Sequence, residues 1–170
     1  MDVFEAIRTV LAVRKFQDKP VPAEVIGKVV EAARVTASSR NGQPWHFIVV
    51  EDRATLRKMG EIATTGPYTA DAAFAVVVAY EKSSEFGVSD ASMAIHSMML
   101  TAWGEGVGSN WVGFANRFTA LHELLGIPDE YDVLAIIPFG YPVAAIGKGI
   151  KRRKDLGEVA SRGRFGQPFA

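Results

Sequence analysis

The chain contains no cysteine. This excludes disulfides, thiolate zinc sites, protein-ligated iron–sulfur clusters and a cysteine nucleophile, so any redox chemistry must be carried by a cofactor. It also lacks an excess of either charge, with 19 Lys and Arg against 19 Asp and Glu. A neutral chain presents no overall field to polyanions, which argues against nucleic-acid partners and leaves basic function to local clusters. Histidine is scarce: His46, His96 and His122 fall on separate predicted elements, with no HExxH or similar spacing, so no metal centre is expected. The strongly apolar run over residues 72–80 is far shorter than the roughly 20 residues of a membrane-spanning helix, so no membrane association is expected. The opening residues are partly acidic and lack a long apolar stretch, so no secretory signal is expected and the expected location is cytoplasmic.

What the chain does have is 170 residues with 48% hydrophobic content, enough for a sizeable core. No repeat or long linker divides it, so a single domain over 1–170 is predicted. Asp2 is placed to cap a first helix whose stripe of Phe4, Ile7, Val10 and Leu11 predicts that it fades near Arg14. After Pro20 and Pro22, residues 23–35 repeat apolar side chains at three- and four-residue steps and predict an amphipathic helix. Residues 36–44 are small and polar and read as a loop, followed by a strand over 45–50 and a helix over 53–62. The run over 72–80 predicts a strand buried on both faces, hence central in a sheet. Residues 90–103, capped by Ser89 or Asp90, form a helix apolar around nearly its whole circumference, which belongs in a core or a subunit interface; His96 there is read as hydrogen-bonded within the core. A short strand over 109–112, a helix over 118–125 and a strand over 133–141 complete a mixed α and β chain.

Two local features invite a chemical reading. The glycines at 104, 106 and 108 look like a phosphate loop, but they follow a helix and precede a strand, the reverse of a dinucleotide fingerprint, so helix termination is the better reading. Lys148, Lys151, Arg152, Arg153 and Lys154 form a basic run without interleaved aromatics; a solvated surface is the ordinary reading and a phosphorylated small molecule the functional one.

Several separated segments resemble the nitroreductase family of flavin mononucleotide (FMN) oxidoreductases: FEAIRT at 4–9, VRKF at 13–16, KPVP at 19–22, SSRNGQPWHF at 38–47, GVGSNWVG at 106–113 and KRRKDL at 151–156. The resemblance implies an α+β fold, a mixed sheet flanked by helices, in an intertwined homodimer that holds FMN between subunits. The tail from about residue 143 would then extend over the partner. It further implies hydride transfer from NADH or NADPH to flavin N5, and from there to a nitroaromatic, quinone or activated alkene. The cofactor carries that chemistry, so no catalytic side chain is assigned.

By the same resemblance, Arg14 corresponds to the basic residue near the flavin ring. Ala37, Ser38, Ser39 and Asn41 lie in the loop that meets the ring, and Val112 and Gly113 in the stretch whose backbone meets N5. Lys151 and Arg153 match tail positions that reach the phosphate, whereas Pro44, Trp45 and Phe47 are assigned to packing. The sequence departs from the family at Val10, Leu11 and Ala12, where the family usually shows a basic pair followed by a serine, with an arginine and the serine hydroxyl binding the phosphate. A charged hydrogen bond is worth about 1.5–3 kcal/mol, so two lost anchors correspond to roughly two to four powers of ten in affinity. Arg8 would point to a different helix face, leaving Lys15, Arg152 or Lys154 to compensate. The departure keeps two other readings open: a dimer that binds a different flavin, a deazaflavin or another ligand, and a non-redox binding protein.

Overall fold

The computed structural model describes residues 1–113, 119–144 and 151–169. Lys148 of the basic run and the first residue of the helix predicted over 118–125 lie outside them.

Helix α1 (Val3–Thr9) opens as predicted, with the Asp2 carboxylate accepting the Glu5 N–H at 2.8 Å. It ends at Thr9 rather than near Arg14. The backbone beyond it pairs with a different element: Val13 N–H donates to the Ser109 carbonyl at 2.9 Å, and Ala12 bridges Ser109 in parallel. The apolar pattern of Val10 and Leu11 continues a helical stripe, but tertiary hydrogen bonds take the chain out of the helix. Helix α2 (Ala23–Arg34) buries Ile26, Val29 and Ala33, the predicted stripe. Strand β1 (Trp45–Val50) and helix α3 (Arg53–Ile62) stand where the pattern placed them, α3 capped by Asp52 on the Thr55 N–H at 2.7 Å.

A short 3-10 turn over Pro67–Asp71 leads into strand β2 (Phe74–Glu81). Helix α4 (Gly87–Gly104), strand β3 (Gly108–Ser109), helix α5 (Thr119–Leu125), strand β4 (Tyr131–Gly140) and helix α6 (Leu156–Val159) follow. The predicted strand over 109–112 is interrupted: β3 stops at Ser109, and Val112 forms only an isolated bridge to Ile136.

The sheet order is β1-β2-β4-β3, with every neighbouring pair antiparallel. β2 is central, and its alternation explains the uninterrupted apolar run. Phe74, Val76 and Val78 face the layer of α2 and α4, whereas Ala75, Val77 and Ala79 face the layer of α3 and α5. Phe74 stacks on Phe139 of β4 with ring centroids 4.7 Å apart. The arrangement is α+β, a sheet with helices on both faces.

Helix α4 lies on the first layer through Ala91, Ala94, Ile95, Met98 and Ala102. Its other side leaves Met93 46% exposed and His96 exposed, so His96 is not a core residue. Neither Ser89 nor Asp90 caps the helix: Phe86 is the N-cap, and Asp90 is buried in the first turn. Among the described residues, no helix is long and apolar enough to cross a membrane.

Candidate functional site

The segment after α1 forms the first half of the candidate site. It is fastened to β3 by the Val13–Ser109 bond and further on by Gln17 N–H to the Tyr141 carbonyl at 2.8 Å, with a Phe16–Pro142 bridge between. Close packing fixes its depth, because a Cβ on Gly108 would overlap Val13. Arg14 projects from this segment, exposed, and makes no hydrogen bond or ion pair among the described residues. Val112 is buried under the turn before Pro67, where a Cβ on Gly66 would lie 2.5 Å from it. Gly113 is half-buried, and the Trp111 indole lies so close that a Cβ there would meet its Nε1 at 2.5 Å.

The tail meets the same end of the molecule. Lys151 Nζ donates to the Ile7 carbonyl oxygen at 2.6 Å, at the C-terminal end of α1 and next to Val10, Leu11 and Ala12. A cation suits the negative end of a helix. Burial, and then the neighbouring Arg153 charge, hold the Lys151 ammonium below its ordinary pKa. Arg153 donates to the Arg152 carbonyl at 2.9 Å and is otherwise exposed. The Ser109 hydroxyl is buried without a hydrogen-bond partner among the described residues.

Ala37, Ser38, Ser39 and Asn41 form the second half, in a loop of strained backbone. Arg40, Asn41 and Gln43 have φ of 53°, 56° and 51°, the left-handed region that side chains other than glycine rarely adopt. Such strain persists only where surrounding contacts impose it, and it concentrates at functional loops. Here the Ser39 N–H donates to the Asp90 carboxylate at 3.0 Å, the Ser38 hydroxyl accepts the Gln43 N–H at 3.0 Å, and the Arg40 guanidinium sits 5.9 Å from the Phe86 ring centroid. Asp90, which the sequence offered as a helix cap, instead holds this loop.

The two halves do not meet within one chain. The loop is tied to Asp90 in the first turn of α4, whereas the α1 end is tied to the last turn, where Trp103 Nε1 donates to Thr9 Oγ1 at 2.9 Å. With a rise of 1.5 Å per residue, about 20 Å of helix axis separates those two anchors. Two further arginines, Arg53 and Arg57, share a cleft with Arg14. Their four-residue spacing places them on one face of α3, but nothing local in the sequence connects that face to Arg14. Among the described residues, no group of three His, Asp or Glu side chains is placed to hold a metal.

The sequence model of the nitroreductase family matches residues 8–83 and 64–141. The chain belongs to the nitroreductase family. Two archaeal relatives carry the provisional name NADH dehydrogenase/NAD(P)H nitroreductase. The one from Methanothermobacter thermautotrophicus is 38% identical over 149 residues, covering 84% of this chain and 78% of the relative. The one from Archaeoglobus fulgidus is 38% identical over 169 residues, covering 95% and 92%. Among solved structures, an FMN-dependent nitroreductase from Clostridium difficile superposes with a TM-score of 0.88 at 26% identity, covering 96% of this nitroreductase-family chain and all of that one.

Proposed function

We propose that the chain is an FMN-dependent oxidoreductase, acting as an intertwined homodimer, that passes reducing equivalents from NADH or NADPH to a nitroaromatic, quinone or activated alkene. The observation that carries this reading is the placement of the two half-sites at opposite ends of α4. A two-fold axis crossing the exposed face of α4 would run the two copies of the helix antiparallel and bring the 37–41 loop of one chain beside Arg14, Val112 and Gly113 of the other. Apolar surface is available for such a contact: Met93 on α4, and Phe4, 73% exposed, with Ile7 on α1. Leu156, Val159 and a fully exposed Phe165 in the tail support its extension from about residue 143 over a partner.

The residues present fit FMN. The Lys151 contact with the end of α1 sets a cation beside Val10, Leu11 and Ala12, the stretch that carries no phosphate anchor of its own, and Arg153 follows on the same exposed tail. The phosphate would be held there by Lys151 and Arg153. Arg14, with no competing partner among the described residues, would stabilise negative charge on the pyrimidine side of the ring. Ser38, Ser39 and Asn41 would supply polar contacts and Ala37 a small one. Val112 and Gly113 would offer backbone rather than an acid or base. When bound, the flavin supplies hydride acceptance and donation at N5.

A second reading, a different flavin or a deazaflavin, rests on the bare stretch at residues 10–12. Titration of purified apoprotein with FMN, followed by flavin fluorescence and then by absorbance on adding NADPH or NADH, distinguishes the two. Saturable binding at micromolar or lower concentration with bleaching is expected. No binding up to millimolar FMN contradicts the proposal and turns attention to another ligand or to a non-redox role.

A further inference from the structure

The cleft between the Arg14 segment and α3 has a volume of about 610 Å³ and is lined by four cations, Arg14, Lys15, Arg53 and Arg57, and by two carboxylates, Asp18 and Asp71. That volume lies within the range of small-molecule sites and is larger than a single phosphate requires. The cations come from two separate elements and converge on one concavity, unlike a run of charge along a solvated helix face. Arg53 is braced: its guanidinium donates to the carbonyls of Ala70 and Ala72 at 3.0 Å each, and Asp18 lies 3.9 Å away. Arg14, Lys15 and Arg57 make no side-chain hydrogen bond or ion pair among the described residues. Four cations against two carboxylates leave the lining net positive, with only Arg53 paired, so the arrangement favours an anion, and arginine forks suit phosphate oxygens.

We infer that this cleft receives the phosphate groups of the nicotinamide donor. The inference rests on the proposed flavin site, because Arg14 is shared: an anion seated on Lys15, Arg53 and Arg57 lies beside the residue assigned to the ring. Donor and acceptor are the molecules that visit that place during turnover. The acceptor classes proposed above need no charge, whereas the donor always carries a pyrophosphate and, in NADPH, a further phosphate. The cleft thus holds the donor by its phosphates and favours NADPH over NADH.

The test is anaerobic flavin bleaching by wild type and Arg57→Gln at equal flavin occupancy. Three donors are compared: NADPH, NADH and uncharged 1-benzyl-1,4-dihydronicotinamide. Loss of a charged hydrogen bond should raise the half-saturating NADPH concentration about tenfold, with a smaller rise for NADH and none for the uncharged donor. Arg57→Lys should recover part of the loss. Inorganic pyrophosphate should compete with NADPH in wild type and more weakly in Arg57→Gln. Unchanged half-saturation for both dinucleotides would overturn the inference while leaving the flavin site standing. So would a shift seen only with a sulfonated quinone acceptor, which would assign the cleft to anionic acceptors. Failure of wild type to bleach with any donor, the uncharged one included, would bring down the oxidoreductase reading and this inference with it.

Discussion

At the scale of single residues, Arg14, Arg57 and Lys151 are cations with no carboxylate to satisfy them among the described residues. Lys151 is the most informative. Its ammonium is held below the ordinary lysine pKa by burial and by Arg153, and an arriving phosphate dianion would oppose both effects and raise it. A ligand that prefers the protonated amine binds fully below the free-state pKa and weakens as pH rises through it. FMN affinity is therefore expected to fall on the alkaline side in wild type, and Lys151→Met should bind more weakly at neutral pH and lose most of that alkaline dependence. Fluorescence titrations across pH would show it, and an unchanged alkaline limb in Lys151→Met would assign the effect to another group. Arg14 and Lys151 are candidates from the sequence because they sit inside short segments that resemble those of the family. Arg57 and Asp90 are not, since their roles arise from neighbours far away in the chain: Arg57 shares a cleft with Arg14, and Asp90 accepts from Ser39.

At the scale of elements, α4 and the loop over residues 37–43 act together. Asp90 is 3% exposed, and its carboxylate fixes the Ser39 backbone, so the strained conformations of Arg40, Asn41 and Gln43 rest on a part-buried hydrogen bond to a carboxylate. Asp90→Ala should cost about 1.5–3 kcal/mol, read as a lowered unfolding midpoint, and should weaken flavin binding through the loop. Asp90→Asn keeps an acceptor and should restore most of both; if Asn behaves like Ala, the charge matters more than the hydrogen bond. Elements with a self-contained pattern, such as α2, α3, β1 and β2, were legible within a few residues. The end of α1 was not, because Val10 and Leu11 continue a helical stripe while residues 12 and 13 bond to Ser109. Helix α6 is only one turn, set by the capping box of Asp155 and Glu158, too short to leave a periodic signal.

At the scale of the whole molecule, periodicity predicted a mixed fold with β2 at its centre but not the order β1-β2-β4-β3, because antiparallel pairing of distant strands leaves no local trace. The all-round apolar helix was legible as a buried or interface element. That its two ends hold the two proposed half-sites leaves no sequence trace, because it depends on the Ser39–Asp90 and Trp103–Thr9 contacts. On the proposed arrangement, each flavin site takes one half from each chain. Arg14→Ala removes a group from one half, and Asn41→Gly removes an amide from the other while suiting the positive φ at that position. Each variant alone should bind FMN poorly. In a mixed dimer of the two, isolated with distinct affinity tags, one site carries both defects and the other carries neither. We predict that the mixed dimer recovers tight FMN binding at close to half the wild-type stoichiometry, with bleaching by NADPH or NADH at that site. A mixed dimer with no more tightly bound flavin than either parent would contradict a site shared between chains.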